Sequence, residues 1–577
     1  MKKFNKVFGV VLSIIIVLGF CLSSCSQPAK QTESSSSINT NSTKSEKIIV
    51  QGMELSDPGV YPFVKEPGKV ELELMMVRDP MVLDYETNEF TKFLESKTNI
   101  KLKFTLLTQA DANQKLSILL NGGGDLPDVF WGLQWGNPRF FTTANVQTYG
   151  EKGLVIPLND LLSKWAVNFK SLCADIPDAK QRITSLDGKI YGLPEFRKEP
   201  QVTMALYQRL SINTDFLSAL GMKTPTTLDE LYNYWKAVKE KDPNKDGKKD
   251  EIPLTGSISA YGNVDGFIMS AFILNDSKER LLLSDNGKID VAYNKQEWKD
   301  GLKFLNKLCS EGLLDPAAFT QTEQQVKQIV EKEGPMLVGS VASFGPSNFA
   351  DMNGERVRKY IPIAPVKGPN GVQITPYDKY SNIDAGLGFL ISKDCKIPEI
   401  AVRFADIFLS SDPQTGFFNR YGVLGRDWDI PAAGTTSLTG GQVQYRVINN
   451  IWGIPQNVHW ESKGIRYATF QAYDRDRLPA DKYDSEQVFY KAALEYLPYA
   501  PKNPVPPILF TNDESKRQNE LSTNLQKYVN ESMARFAIGD LNIDAQWNNY
   551  LTELDKIGLK EYLVMEQKAY DRQSAIK

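Results

Sequence analysis

The sequence predicts an α/β protein built on a wound sheet, and three observations carry that prediction. Val70, Leu72, Leu74 and Met76 alternate with Glu71 and Glu73 at period two, the pattern of a strand with one buried face. A helical stretch from Asn88 to Lys97 comes next, then a second alternating strand through Leu102, Phe104 and Leu106. A strand, a helix and a strand in that order wind a parallel sheet. The third observation is the run Asn121-Gly-Gly-Gly-Asp-Leu-Pro-Asp-Val-Phe-Trp-Gly132. Here a helix carrying Leu116, Leu119 and Leu120 is stopped by glycines, and Asp128 to Trp131 reads as a short buried strand. Ligands of open α/β sheets sit beyond the carboxyl ends of strands, so Trp131 is placed where a ligand would lie.

At 577 residues the chain is too long for one small core. Its first 24 residues are read as a leader: Lys2, Lys3 and Lys6 precede an apolar run from Val7 to Leu22, too short for the ~20 residues of a membrane span. The ending Leu22-Ser-Ser-Cys25 resembles the bacterial lipobox. That resemblance implies cleavage before Cys25, lipidation of its sulfur, and a mature protein anchored on the outer face of the cell membrane. Loss of three lysines and no acids takes the formal charge from −3 to −6, so neither a nucleic-acid nor an anionic-lipid surface is expected. Cys173, Cys309 and Cys395 are odd in number and far apart, which gives no disulfide framework. His459 is the single histidine, so imidazole-activated nucleophiles and multi-histidine metal centres are disfavoured.

Residues 25–67, rich in serine, threonine and lysine at their start, are expected to be a flexible tether. Further along, Leu154 to Leu158 and Asp187 to Pro194 read as short elements. Helices are predicted over Thr227 to Glu240, capped at Thr227, and over Glu297 to Glu311. Gly334 to Ser340 reads as a buried strand, Ala385 to Ser392 as another strand, and Pro398 to Ser410 as a helix. Trp547, Tyr550, Leu551, Leu554 and Ile557 share one helical face, closed by Gly558.

The Gly124-Asp-Leu-Pro-Asp-Val129 run, the segment Asp187-Gly-Lys-Ile-Tyr-Gly-Leu-Pro194, the helix from Gly301 to Pro316 and the run Ala385 to Ser392 resemble the family 1 extracellular solute-binding proteins, the sugar-capturing parts of ABC importers. The resemblance implies a two-lobed, type II periplasmic-binding-protein-like fold with discontinuous domains and an interlobe cleft. Residues 68–203 and 376–428 would make the N-terminal lobe, 204–375 and 429–577 the C-terminal lobe. It also implies a monomer that binds oligosaccharide, delivers it to permease subunits, and catalyses nothing. Oligopeptide capture and surface glycoside hydrolysis are the alternatives. Acids such as Glu195 and Asp427 leave the second open, since such hydrolysis needs two carboxylates.

Sugar sites pair flat rings with planar polar groups. The candidates are Trp131, Trp135, Tyr191, Tyr261, Phe344, Trp452 and Trp460, with Arg139, Glu195, Arg197 and Arg426 as polar partners. The arginines suit uronic-acid or plant-derived fragments better than maltodextrin. Asp242-Pro-Asn-Lys-Asp-Gly-Lys-Lys-Asp-Glu251 places oxygens at alternating positions around a glycine, the layout of a calcium loop. Asp242, Asn244, Asp246, the Lys248 carbonyl, Asp250 and Glu251 are its expected ligands, for a structural ion. Pro253 stands where an EF-hand has its bidentate carboxylate, so Glu251 takes that part by resemblance to the loop of alginate-binding lipoproteins.

Overall fold

The computed structural model describes residues 48–575 apart from 123, 135–138, 260 and 477–482. The leader and Cys25 therefore lie outside the described residues. Among the described residues, no helix is long and apolar enough to cross a membrane.

Two sheets organise the chain. The first has six strands in the order Tyr467–Ala468, Leu193–Arg197, Ile383–Ile391, Val129–Trp131, Val70–Val77 and Ile100–Leu107. Val70–Val77 runs parallel to both Ile100–Leu107 and Val129–Trp131, as the β-α-β opening predicts. The helix between them, Glu89–Thr98, starts where Asn88 accepts from the Phe90 amide and ends at Asn99 in the left-handed region. Ile383–Ile391 enters the same sheet from the opposite direction and is antiparallel to both neighbours, so the sheet is mixed. Its two faces are both covered. Leu72, Leu74, Val129 and Phe389 point into one cluster with the helix Pro398–Ile407, while Met75, Phe130 and Leu390 point into another with the helix Ala112–Gly122.

The second sheet has three antiparallel strands, Ser340–Ser343, Arg209–Asn213 and Tyr360–Ile363. A separate core grows on it from the helices Leu228–Lys241 and Gln296–Ser310. Thr227 caps the first of these as expected, in a capping box completed by Glu230. The C-terminal helices Asn512–Ile538, Ile543–Ile557 and Leu559–Ala575 dock on this core, with Trp547, Tyr550 and Leu554 inward and Gly558 closing the middle one in the left-handed region. The chain passes from the first sheet to the second after Arg197, returns before Ile383, and leaves again before the helix Ser485–Tyr496, which packs beside Tyr360–Ile363. The result is a two-lobed fold with discontinuous lobes.

Three expectations are corrected. Order begins before Val70: Ile48–Val50 and Met53–Leu55 form a hairpin, and Phe63 and Val64 are buried in the first core. The strand expected at Gly334 to Ser340 lies at Ser340–Ser343. Ahead of it, the Ile252 amide donates to the Leu337 carbonyl and the Ile252 carbonyl accepts from the Gly339 amide, an isolated parallel bridge to Val338 and no ladder. The segment after residue 429 does not go wholly to the second lobe. Tyr467–Ala468 pairs parallel with Phe196–Arg197, and Trp460 and Ile465 are buried in the first-lobe core.

Candidate functional site

On the second lobe, Ser343 is in register with Arg209, so Phe344 and Arg209 emerge at the same end of the sheet. Four rings gather there. Tyr207 meets Tyr261 edge-on at 4.9 Å, Tyr261 lies 5.7 Å from Phe344, and Phe344 lies 5.7 Å from Phe489. Gly345 permits the last contact, because a Cβ there would stand 2.1 Å from the Phe489 ring. The Arg209 guanidinium stacks on Phe344 and Phe489 at 5.4 and 5.1 Å and donates to the carbonyls of Phe344 and Thr203. Burial pulls its pKa down to about 10. Lys278 sits over Tyr207 and Tyr261 at 4.9 and 5.1 Å. Phe344 and Tyr261 are half-buried, so each retains uncovered ring surface.

On the first lobe, the parallel pairing of Tyr467–Ala468 with Phe196–Arg197 brings Arg466 beside Glu195. Glu195 is buried and shared: Arg197 Nη2 lies 2.6 Å and Arg466 Nη2 2.9 Å from the same oxygen. Burial opposes its ionisation, and Arg466 and Arg197 overcome that and hold the carboxyl below its ordinary range. A cavity of about 200 Å³ opens above this group, lined by Arg197, Arg420, Arg466, Tyr445 and Phe470. Glu486, on the helix Ser485–Tyr496 that packs beside the second sheet, closes its other side. Burial pushes Glu486 up, while Arg475, Arg209 and Arg420 pull it down. Arg420 lies 4.6 Å over Trp452 and 5.4 Å over Tyr421.

A larger cavity of about 700 Å³ lies elsewhere, under a proline-rich stretch with Pro504, Pro506 and Pro507. Size alone does not make it the better candidate. No ring singled out by the sequence reaches it, and its arginine, Arg182, is already satisfied by Asn382 and the Tyr380 carbonyl.

The sequence-predicted residues divide accordingly. Glu195 and Arg197 come together at the small cavity, Tyr261 and Phe344 at the second-lobe end, and Trp452 at Arg420. Trp131 is a correction. Its ring is 0% exposed, packed 4.7 Å from Phe408 and 5.3 Å from Phe404, and roofed by Lys463 and Gly464. Trp460 is likewise core, its indole donating to Thr91 within a cluster of Phe90 and Phe104. Tyr191 is buried with its hydroxyl on Asp187. Arg426 is spent on Glu89 and Asp427, and Arg139 on Asp384. Trp135 lies outside the described residues. Arg209, Tyr207, Arg420, Arg466, Phe489 and Glu486 escape a sequence reading, since each is placed by contacts outside its own element, from Arg420 on Trp452 32 residues on to Arg466 on Glu195 271 residues back.

The acidic loop follows the helix Leu228–Lys241, with Asp242 left-handed at its C-cap. The Asp246 and Gly247 amides donate to the Asp242 carboxylate, and the Lys248 amide to Asp246. Glu251 is 7% exposed, and neither carboxylate oxygen has a hydrogen-bond partner. Burial, with Asp242 and Asp250 nearby, raises its pKa. A buried orphan carboxylate with two other acids close enough to raise its pKa fits a hard cation. Among the described residues, no three His, Cys, Asp or Glu side chains are gathered tightly enough to hold a metal by themselves, and this donor set also counts Asn244 and a backbone carbonyl.

The profile of the bacterial extracellular solute-binding proteins matches residues 83–415, more than half of the chain. This chain belongs to that family. Like it is the fructooligosaccharide ABC transporter substrate-binding protein FusA of Streptococcus pneumoniae, 26% identical over 84% of this chain and 87% of that protein. The solved structure of this solute-binding protein FusA with kestose superposes with a TM-score of 0.66 at 24% identity, covering 88% of this chain and 100% of that one. A FusA EF-hand mutant in complex with fructo-nystose superposes at 0.65 with 23% identity, over 88% and 100%. The alginate-binding protein AlgQ2, solved without calcium ion, superposes at 0.58 with 22% identity over 88% of this chain and 99% of that one. These relatives are transport proteins, and the solute-binding fold here is theirs.

Proposed function

We propose that this chain is the lipid-anchored receptor of a carbohydrate ABC importer, capturing oligosaccharide between its lobes and presenting it to permease subunits. The observation that carries the reading is a half-open aromatic wall on the second lobe, Tyr261 and Phe344, together with a planar polar wall on the first, Arg197, Arg420 and Arg466. Sugar rings offer apolar C–H faces and a girdle of hydroxyls, and each aromatic face covered contributes about 1–2 kcal/mol. Micromolar affinity needs about −8 kcal/mol, so both walls must act on one ligand. Closing the lobes about the three crossings brings them together, and the permease senses that closure.

The receptor binds and does not cut. Glu195 is locked as a carboxylate by two arginines, and Asp427, held low by Arg426 against its burial, is no proton donor either. Asp242, Asn244, Asp246, Lys248 through its carbonyl, Asp250 and Glu251 hold a calcium ion that pins the loop after Leu228–Lys241, away from the ligand. Cys25 carries the lipid, and the protein works as a monomer on the outer face of the membrane. Calorimetry of the purified protein against fructo-, galacto- and uronic oligosaccharides and short peptides tests the reading. Saccharide binding without release of reducing ends supports it; peptide binding alone, or reducing sugar appearing with time, overturns it.

A further inference from the structure

The arginines of the small cavity are not balanced by its carboxylates. Glu195 serves Arg197 and Arg466 together, at 2.6 and 2.9 Å. Arg420 forms no ion pair among the described residues; its guanidinium lies over the rings of Tyr421 and Trp452 at 5.4 and 4.6 Å, bonds to the Tyr421 side chain and feels Glu195 only at longer range. Arg209, 1% exposed on the second lobe, bonds only to backbone carbonyls, and its Nε has no partner. Arg466 Nε is also buried without a partner, as is Glu486 Oε2. Three arginines at the cavity against Glu195 and Glu486 leave one cation uncompensated, and Arg209 adds another.

A guanidinium withdrawn from water without a counter-ion is costly, and an anion supplied by a ligand offsets part of that cost. The guanidinium fork matches a carboxylate through two parallel hydrogen bonds, whereas a hydroxyl takes one and returns no charge. Two aromatic neighbours fix the Arg420 plane, so less ordering is left to be done when the anion arrives. Building on the proposed oligosaccharide receptor, we propose that its ligand is an acidic oligosaccharide, with a uronate-type carboxylate docked on Arg420 beside Arg466. Glu486, across the cavity, accepts from the hydroxyls of the same sugar unit.

The test is calorimetry on the full chain with trigalacturonate, the neutral galactotriose of the same linkage, and kestose. The expected result is at least about tenfold tighter binding of the acidic trisaccharide than of its neutral counterpart, from charge-assisted over neutral hydrogen bonds. Its affinity should also fall several-fold as salt rises and screens the pair. Arg420→Gln should cut the acid-over-neutral ratio to about threefold or less, and Arg420→Lys, which keeps the charge, should retain part of it. Equal or tighter binding of the neutral sugars overturns the acidic ligand and leaves the oligosaccharide receptor standing. No binding of any saccharide overturns the receptor reading itself, and this proposal with it.

Discussion

Trp131 and Phe344 occupy comparable places, each at the carboxyl end of a strand, one on the six-stranded sheet and one on the three-stranded sheet. Only Phe344 keeps part of its ring uncovered. Trp131 is sealed by a segment more than three hundred residues later in the chain: Gly464, at φ +114°, lies so close that a Cβ would stand 2.4 Å from the indole. Only a residue without a side chain fits there. The comparison teaches that a strand end fixes where a side chain emerges, while a remote segment decides whether it meets ligand or protein.

The largest expected effect separates core from site directly. Trp131→Ala should lose about 3–5 kcal/mol of stability by urea denaturation, the usual cost of emptying a large buried aromatic. If it unfolds normally and loses sugar affinity instead, the comparison breaks. The covering segment itself carries a pH signature. His459 is fully buried, and burial lowers its pKa from 6.5 to about 4. The unfolded chain then binds a proton that the folded chain refuses. The His459 contribution to stability should fall as pH drops from about 6.5 towards 4, by up to about 3 kcal/mol. His459→Gln should flatten that part of the urea-midpoint profile, and the difference from wild type isolates it from Asp406, whose pKa burial raises to about 6 and whose contribution runs the other way.

Phe344→Ala should do the reverse of Trp131→Ala. Its unfolding midpoint should barely move, while calorimetry shows affinity for oligosaccharide down roughly tenfold, about 1–2 kcal/mol for one lost ring face. The smallest effect tests the loop. At ten times its Kd, calcium should stabilise the protein by about 1.4 kcal/mol, read as a rise in Tm. Glu251→Gln should abolish that rise; an equal rise in the variant would remove Glu251 from the ligand set.

Much of the fold is legible in the sequence because its signals are local. The capping box at Thr227 and Glu230, the period-two strand from Val70, and the Gly558 stop each depend on residues within one element. The site is legible only in part. Glu195, Arg197, Tyr261 and Phe344 were reachable, yet Arg466 joins Glu195 through a strand pairing 271 residues away. Trp131 and Trp460 look like platforms to any local reading, since apolar rings at strand ends are written the same way whether covered or open.

The sequence by itself determined the family, the α/β class, the helices and their caps, and the acidic loop, because these follow from patterns spanning a few residues. Tertiary structure decided which rings stay uncovered, which arginines go without a counter-ion, and which lobe owns the segment after residue 429. Those are properties of what packs against what, and burial is set by chain that lies far off in sequence.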